Sequence, residues 1–147
     1  MSTDLPRLIG INHVALEVGD IEEALAFYGK IFSFTLRGRG NGQAFIDLGD
    51  QFLALMQTQT PHQDRGRHFG LVVDDRDRVR ALAEAAGAKM VGGQFLDFFD
   101  PWGNRIEIVA YADVQFSKAP NVLRAMAFAG DKSAEAAKQL AAKNMAP

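Results

Sequence analysis

The chain repeats itself, and the repeat constrains its fold more than any other feature. Ile11-Asn12-His13-Val14-Ala15-Leu16-Glu17-Val18 is answered by Gly66-Arg67-His68-Phe69-Gly70-Leu71-Val72-Val73. Each copy runs on through an acidic residue into a helical stretch and then into hairpin-like strands. The offset is 55 residues at the histidines and 54 at the final turns, Gly49 against Gly103. Self-similarity at such a period marks a duplicated supersecondary unit.

In the first copy, residues 8–18 are rich in Ile, Val and Leu and read as a strand buried on both faces. Asp20 suits a helix N-cap, with Glu23 three residues on as in a capping box. Ile21, Leu25, Tyr28 and Phe32 then recur at helical spacing. Strands are expected over 34–39, 44–48 and 51–57, with turns at Asn41-Gly42 and Gly49-Asp50. A polar stretch containing Pro61 follows. The second copy repeats the order: a strand over 68–73 and a helix over 75–87. The helix has Val79, Leu82 and Ala86 as its stripe and Gly87 as its stop. Strands over 88–91, 95–99 and 105–111 complete it. The expected class is α+β, with two tandem βαβββ modules forming a curved mixed sheet. Module one is 8–57, the linker 58–66 and module two 67–112, together one domain over 1–112. Residues 113–147 do not repeat. They are expected to form a helical C-terminal extension, with Asn121 capping a helix through Phe128 and Asp131 or Ser133 capping another through Lys143. Leu140 and Met145 are its larger apolar groups.

Composition removes several classes of function. None of the 147 residues is cysteine, which excludes disulfides and thiolate metal ligands. No apolar run is long enough to span a bilayer. Net charge is −2 and no basic stripe appears, so no nucleic-acid partner is expected. Met1-Ser2-Thr3-Asp4 lacks the features of a signal peptide, and a cytoplasmic protein is expected.

Against that background three residues stand out. His13 and His68 hold matched places in the repeat. Glu107 is a lone carboxylate between Ile106 and Ile108, whose side chains face the opposite side of a strand. With the isoleucines toward the helices, Glu107 points to the concave side, where an isolated carboxylate is costly unless paired or bound to metal. A single strand histidine is ordinarily structural, so the matched positions carry the argument. His13, His68 and Glu107 make an open site for one divalent ion (Fe, Mn, Zn or Ni), with positions left for water or substrate. The repeat pairs Glu107 with Leu53, so module one offers no fourth carboxylate.

The duplicated pattern, the Asn12-His13-Val14 opening and the ending Phe99-Asp100-Pro101-Trp102-Gly103-Asn104-Arg105-Ile106-Glu107 resemble the vicinal oxygen chelate superfamily. Glyoxalase I, extradiol dioxygenases, methylmalonyl-CoA epimerases, fosfomycin-resistance transferases and bleomycin-binding proteins belong to it. The resemblance spans about residues 8–112, and Trp102 is a minor departure in the turn. It implies a cup around a metal, a homodimer with modules paired across subunits, and an ion that chelates two neighbouring substrate oxygens as a Lewis acid.

Leu53 disfavours glyoxalase I and the epimerases, which resemble four-ligand sites. Fosfomycin transferases share two His and one Glu, but the short apolar stretch 90–95 and Ala15 depart from their pattern. Extradiol dioxygenases add a tyrosine, whose place falls at Phe98 or Phe99 where this chain has phenylalanines, and a further histidine, for which only the linker residue His62 remains. Bleomycin-type binders typically lack the triad. The implied function is a metal-dependent enzyme acting on a small oxygen-rich substrate, aromatic ones included, by dioxygenase-like or lyase/isomerase-like chemistry. A sequestering resistance protein and a thiol transferase are the alternatives. Four weaker candidates join the triad. Glu17 shares the parity of His13 and could serve as a base. Tyr111 could supply a phenol. Arg105 and Gln57 could touch substrate. Their bland counterparts are a solvated glutamate, a tyrosine covering the tail and a rim arginine.

Overall fold

The computed structural model describes residues 11–146. Residues 8–10 of the expected first strand lie outside the described residues. Module one contains β1 (His13–Val18), α1 (Ile21–Ile31), β2 (Leu36–Gly40), β3 (Gln43–Asp47) and β4 (Phe52–Gln57). Module two contains β5 (Phe69–Val73), α2 (Arg76–Ala85), β6 (Lys89–Val91), β7 (Leu96–Phe99) and β8 (Arg105–Ala110). Each module forms its own four-stranded sheet, in the orders β1-β4-β3-β2 and β5-β8-β7-β6. The first strand of each is parallel to the last, and the other pairings are antiparallel.

Both helices begin where the capping chemistry predicts. Asp20 Oδ1 accepts from Glu23 N at 2.8 Å, and Asp75 Oδ1 accepts from Arg78 N at 2.9 Å, each satisfying an orphan donor of the first turn. Ile21, Ala24, Phe27, Tyr28 and Ile31 of α1 are buried, as are Val79 and Ala83 of α2. These faces, with Leu53, Leu55, Leu96, Phe98, Ile106 and Ile108, form one core shared by both modules. β1 is buried on one face only, through Leu16 and Val18, while His13 is exposed. The expectation of burial on both faces is therefore corrected: one face meets the core and the other is left for the site.

The strand registers also shift the repeat by one residue. Val14 pairs with Leu53 in module one, and Phe69 pairs with Ile106 in module two. Ile106 therefore corresponds to Leu53, and Glu107 to Ala54. The cause is the last turn. Residues 48–51 join the Asp47–Phe52 pair, whereas residues 100–104 join the Phe99–Arg105 pair, one residue more. Because strand side chains alternate with period two, only this register puts Ile106 and Ile108 in the core and Glu107 on the open face. Module one still presents no carboxylate there.

Beyond Ala110 a 3₁₀ turn (Tyr111–Asp113) leads to α3 (Pro120–Ala125) and α4 (Ala134–Ala141). Asn121 lies inside α3 rather than capping it. Ala119 is the cap residue, without a side-chain bond, and Pro120 starts the first turn, where its missing N–H costs nothing. Ser133 caps α4 by accepting from Ala136 N at 3.2 Å. Leu140 is buried, whereas Met145 is 62% exposed and does not anchor the tail. The tail reaches back to module one: Val122 and Met126 leave no room for a Cβ on Gly49, and Lys118 pairs with Asp50. No helix among the described residues is long and apolar enough to cross a membrane.

Candidate metal centre

Module two contributes a pair of donors. His68 Nε2 lies 3.4 Å from Glu107 Oε2, about the span a tetrahedral ion with bonds of ~2.1 Å would bridge. The other ring nitrogen is committed, because His68 Nδ1 donates to Gly66 O at 3.0 Å. His13 repeats the device, its Nδ1 donating to Asn12 Oδ1 at 2.8 Å. A carbonyl oxygen on Nδ1 selects the tautomer that leaves the Nε2 lone pair free, the usual arrangement around a metal-binding histidine. Two imidazoles prepared in this way, with one carboxylate, fit a divalent ion of borderline softness. Asn12 and Gly66 were not singled out from sequence, although Asn12 stands in the Asn-His-Val opening.

The three donors do not meet inside one chain. Among the described residues no group of three His, Asp or Glu could hold a metal ion. His68, just before β5, and Glu107, on β8, belong to module two. His13 belongs to the sheet of module one, stacked on Phe52 with ring centroids 4.7 Å apart. Phe45 meets Phe52 edge-on at 5.6 Å and Arg37 covers that ring at 4.8 Å, so the open face around His13 is aromatic and cationic.

The position across the sheet from Glu107 is Asp97, paired with it in the β7–β8 register. Near Phe98 and Phe99, where the dioxygenase pattern has its tyrosine, Phe98 is in the core and a carboxylate takes the place facing Glu107. Asp97 is 4% exposed and binds Arg105, its Oδ2 accepting from Nε at 2.9 Å and Nη2 at 2.7 Å. Arg105 Nη1 also donates to Arg65 O at 3.0 Å. Its guanidinium thus has protein partners on every nitrogen and does not stand free for a substrate.

Gln57, expected near substrate, instead accepts from Ile21 N at 3.2 Å and satisfies the start of α1. Tyr111, expected as a phenol, is buried in the tail. Its hydroxyl accepts from Lys118 N at 3.2 Å, and Phe116 and Phe128 meet its ring edge-on. The 3₁₀ turn breaks the strand parity on which its placement rested. Lys132 Nζ sits over the same ring and donates to Tyr111 O, Val114 O and Phe116 O. Desolvation there lowers its pKa.

Glu17 meets His62, the linker histidine. Its Oε2 accepts from His62 N at 2.7 Å and faces His62 Nδ1 at 2.9 Å. The backbone bond first, then the ring, holds the Glu17 carboxyl below its ordinary range. A groove of about 240 Å³ between the modules brings Glu17, His62, Asp64, Arg67 and His68 to its walls. Beneath it lies the turn before β8. Asp100 accepts from Trp102 N, Asn104 N, Asn104 Nδ2 and the Tyr28 hydroxyl at 2.7–3.0 Å, and Asn104 Nδ2 also reaches Glu17 O. The turn motif therefore ties the two modules together beside the site.

Comparison with known proteins agrees with this fold. Residues 10–108 match the family model described as Glyoxalase/Bleomycin resistance protein/Dioxygenase superfamily. The chain is 26% identical over 114 residues to Glutathione transferase FosA of Serratia marcescens, covering 69% of this chain and 80% of that one. It is 36% identical over 55 residues to Metallothiol transferase FosB of Lysinibacillus sphaericus (strain C3-41), covering 37% of this chain and only 39% of that one. In structure it is similar to the fosfomycin resistance protein FosX of Listeria monocytogenes, with a TM-score of 0.60, 18% identity, and coverage of 71% of this chain and 94% of FosX. The duplicated modules and the matched span together show that this chain belongs to the glyoxalase/bleomycin resistance protein/dioxygenase superfamily.

Proposed function

We propose that the protein is a metal-dependent enzyme whose site is shared between two copies of the chain. His68 and Glu107 of one copy hold one divalent ion, and His13 of the other completes the set. The observation that carries this reading is the pair of histidines with Nδ1 committed to a carbonyl oxygen, one of them with Nε2 facing Glu107. The second copy is inferred from the separation of His13 from that pair within one chain, and from the open apolar side chains of Met56 on β4 and Val72 on β5.

Bound there, the ion would act as a Lewis acid on a small substrate that offers neighbouring oxygens. The chain's own residues do the rest. Phe45, Phe52 and Arg37 form a wall beside His13 against which a compact, oxygen-rich or anionic ligand can lie. The Glu17–His62 pair stands at the groove that also holds His68, where it can meet the polar end of a ligand. Both curated relatives are named as transferases, of glutathione or of a thiol, and a FosX structure is described with Mn(II) and a dihydroxypropylphosphonic acid. Those names favour Mn(II) as the ion and addition of a thiol or water to a small electrophile as the reaction. Dioxygenase-like chemistry is the second reading, resting on the two-His-one-carboxylate set.

Protein purified without chelator should carry about one divalent ion per chain, and Glu107→Ala should carry almost none. Turnover should appear in a panel of epoxide phosphonates with thiols, methylglyoxal–thiol adducts and catechols, vanish on chelation and return with Mn(II) or Fe(II). Equal, negligible metal in wild type and variant would sink the reading.

A further inference from the structure

His68 stands just outside the sheet, since β5 begins at Phe69. Its placement depends on the loop before it, through the bond to Gly66 O. That loop is held from β8. Arg105, the first residue of β8, donates its backbone N–H to Asp64 Oδ2 at 3.1 Å and Nη1 to Arg65 O at 3.0 Å. Asp64 N donates to Gly103 O at 2.8 Å. The guanidinium is aimed at the loop by Asp97, through the two bonds to Oδ2. Two residues after Arg105, on the same face of the same strand, comes Glu107.

Stability alone does not explain this arrangement. Asp97 Oδ1 is buried with no hydrogen-bond partner, and an orphaned buried carboxylate oxygen is destabilising. Buried ion pairs rarely out-stabilise apolar pairs of the same volume. Their recognised use is to fix one arrangement among several.

Building on the metal reading above, we propose that Asp97 and Arg105 are positioning residues that set where the His68 ring meets Glu107. β8 thereby holds one metal donor directly and steers the other through the loop. Any ion at the site would sense both ends of this clamp.

The test is Mn(II) binding by calorimetry, with the visible spectrum of the Co(II) form as a readout of coordination. Asp97→Ala and Arg105→Ala should each weaken Mn(II) binding about 10- to 100-fold, as loss of partners around ligands commonly does. The double variant should lose little more than either single one, because the two act as a unit. The Co(II) bands should shift in all three. Val79→Ala, which loosens the core on the helix side of the sheet with Ile106 and Ile108, should change neither affinity nor spectrum. Asp97→Asn keeps the side-chain shape and removes the charge, and weakened binding is expected of it too, which covers failure of the alanine variant to fold. Binding within twofold of wild type in Asp97→Ala or Asp97→Asn, while Glu107→Ala abolishes it, overturns the clamp and leaves the metal site standing. Wild type and Glu107→Ala binding Mn(II) equally poorly overturns the metal site, and the clamp with it.

Discussion

At the scale of single residues, two carbonyl oxygens decide what the histidines can do. Asn12 Oδ1 and Gly66 O each accept a hydrogen bond from Nδ1, so in the neutral ring Nε2 carries the lone pair. Asn12→Ala should therefore weaken Mn(II) binding about tenfold, or ~1.4 kcal/mol. The melting temperature should barely move, because the Asn12–His13 bond is exposed; titration calorimetry beside a thermal melt checks both. The proposed metal donors were legible in the sequence because a repeat marks matched positions without reference to structure. Asp97 was not. It reads as an acid in an apolar strand, and only the β7–β8 register reveals that it faces Glu107. Gln57 misled for a similar reason: strand parity gives the side of the sheet but not the helix terminus waiting beside it.

At the scale of elements, the turn before β8 does more than reverse the chain. Asp100 gathers four donors, among them Tyr28 from α1 of the other module. Burial first, and the Asp100 charge next, hold the Tyr28 hydroxyl well above its ordinary pKa, so it stays a donor. Asp100→Ala would strand these buried groups and should destabilise the fold by about 3 kcal/mol, measured as a drop in the denaturant midpoint. A loss below ~1 kcal/mol would show that the turn does not couple the modules. The helices and the hairpin order were readable from capping residues and apolar spacing, which act within a few residues. The extra residue in the turn 100–104 was not, because the Gly49–Gly103 match hides where it is inserted. The start of α3 at Pro120 was missed because Asn121 is a good cap in isolation, while proline in a first turn serves equally well.

At the scale of the whole molecule, the tail closes on module one through Lys118 and Asp50. The Lys118 hydrogen bond holds the Asp50 carboxyl below its ordinary 3.8. A depressed carboxyl contributes stability that is present above the unfolded pKa and lost as pH falls through the folded one. Asp50→Asn should thus melt ~1–3 °C below wild type at pH 7, and the gap should close as pH drops below 3.8. A gap that persists unchanged in acid would mean that the pair does not hold the tail. The proposed larger arrangement, two chains sharing each site, would join His13 to His68 and Glu107. It is tested most directly by a mixed dimer of His13→Ala and Glu107→Ala chains, co-expressed and purified through two different tags. Each variant alone should lose tight Mn(II) binding. In the mixed dimer one site carries both lesions and the other carries none, so one site of wild-type affinity per dimer is expected. A mixed dimer that binds no Mn(II) tightly would contradict the account.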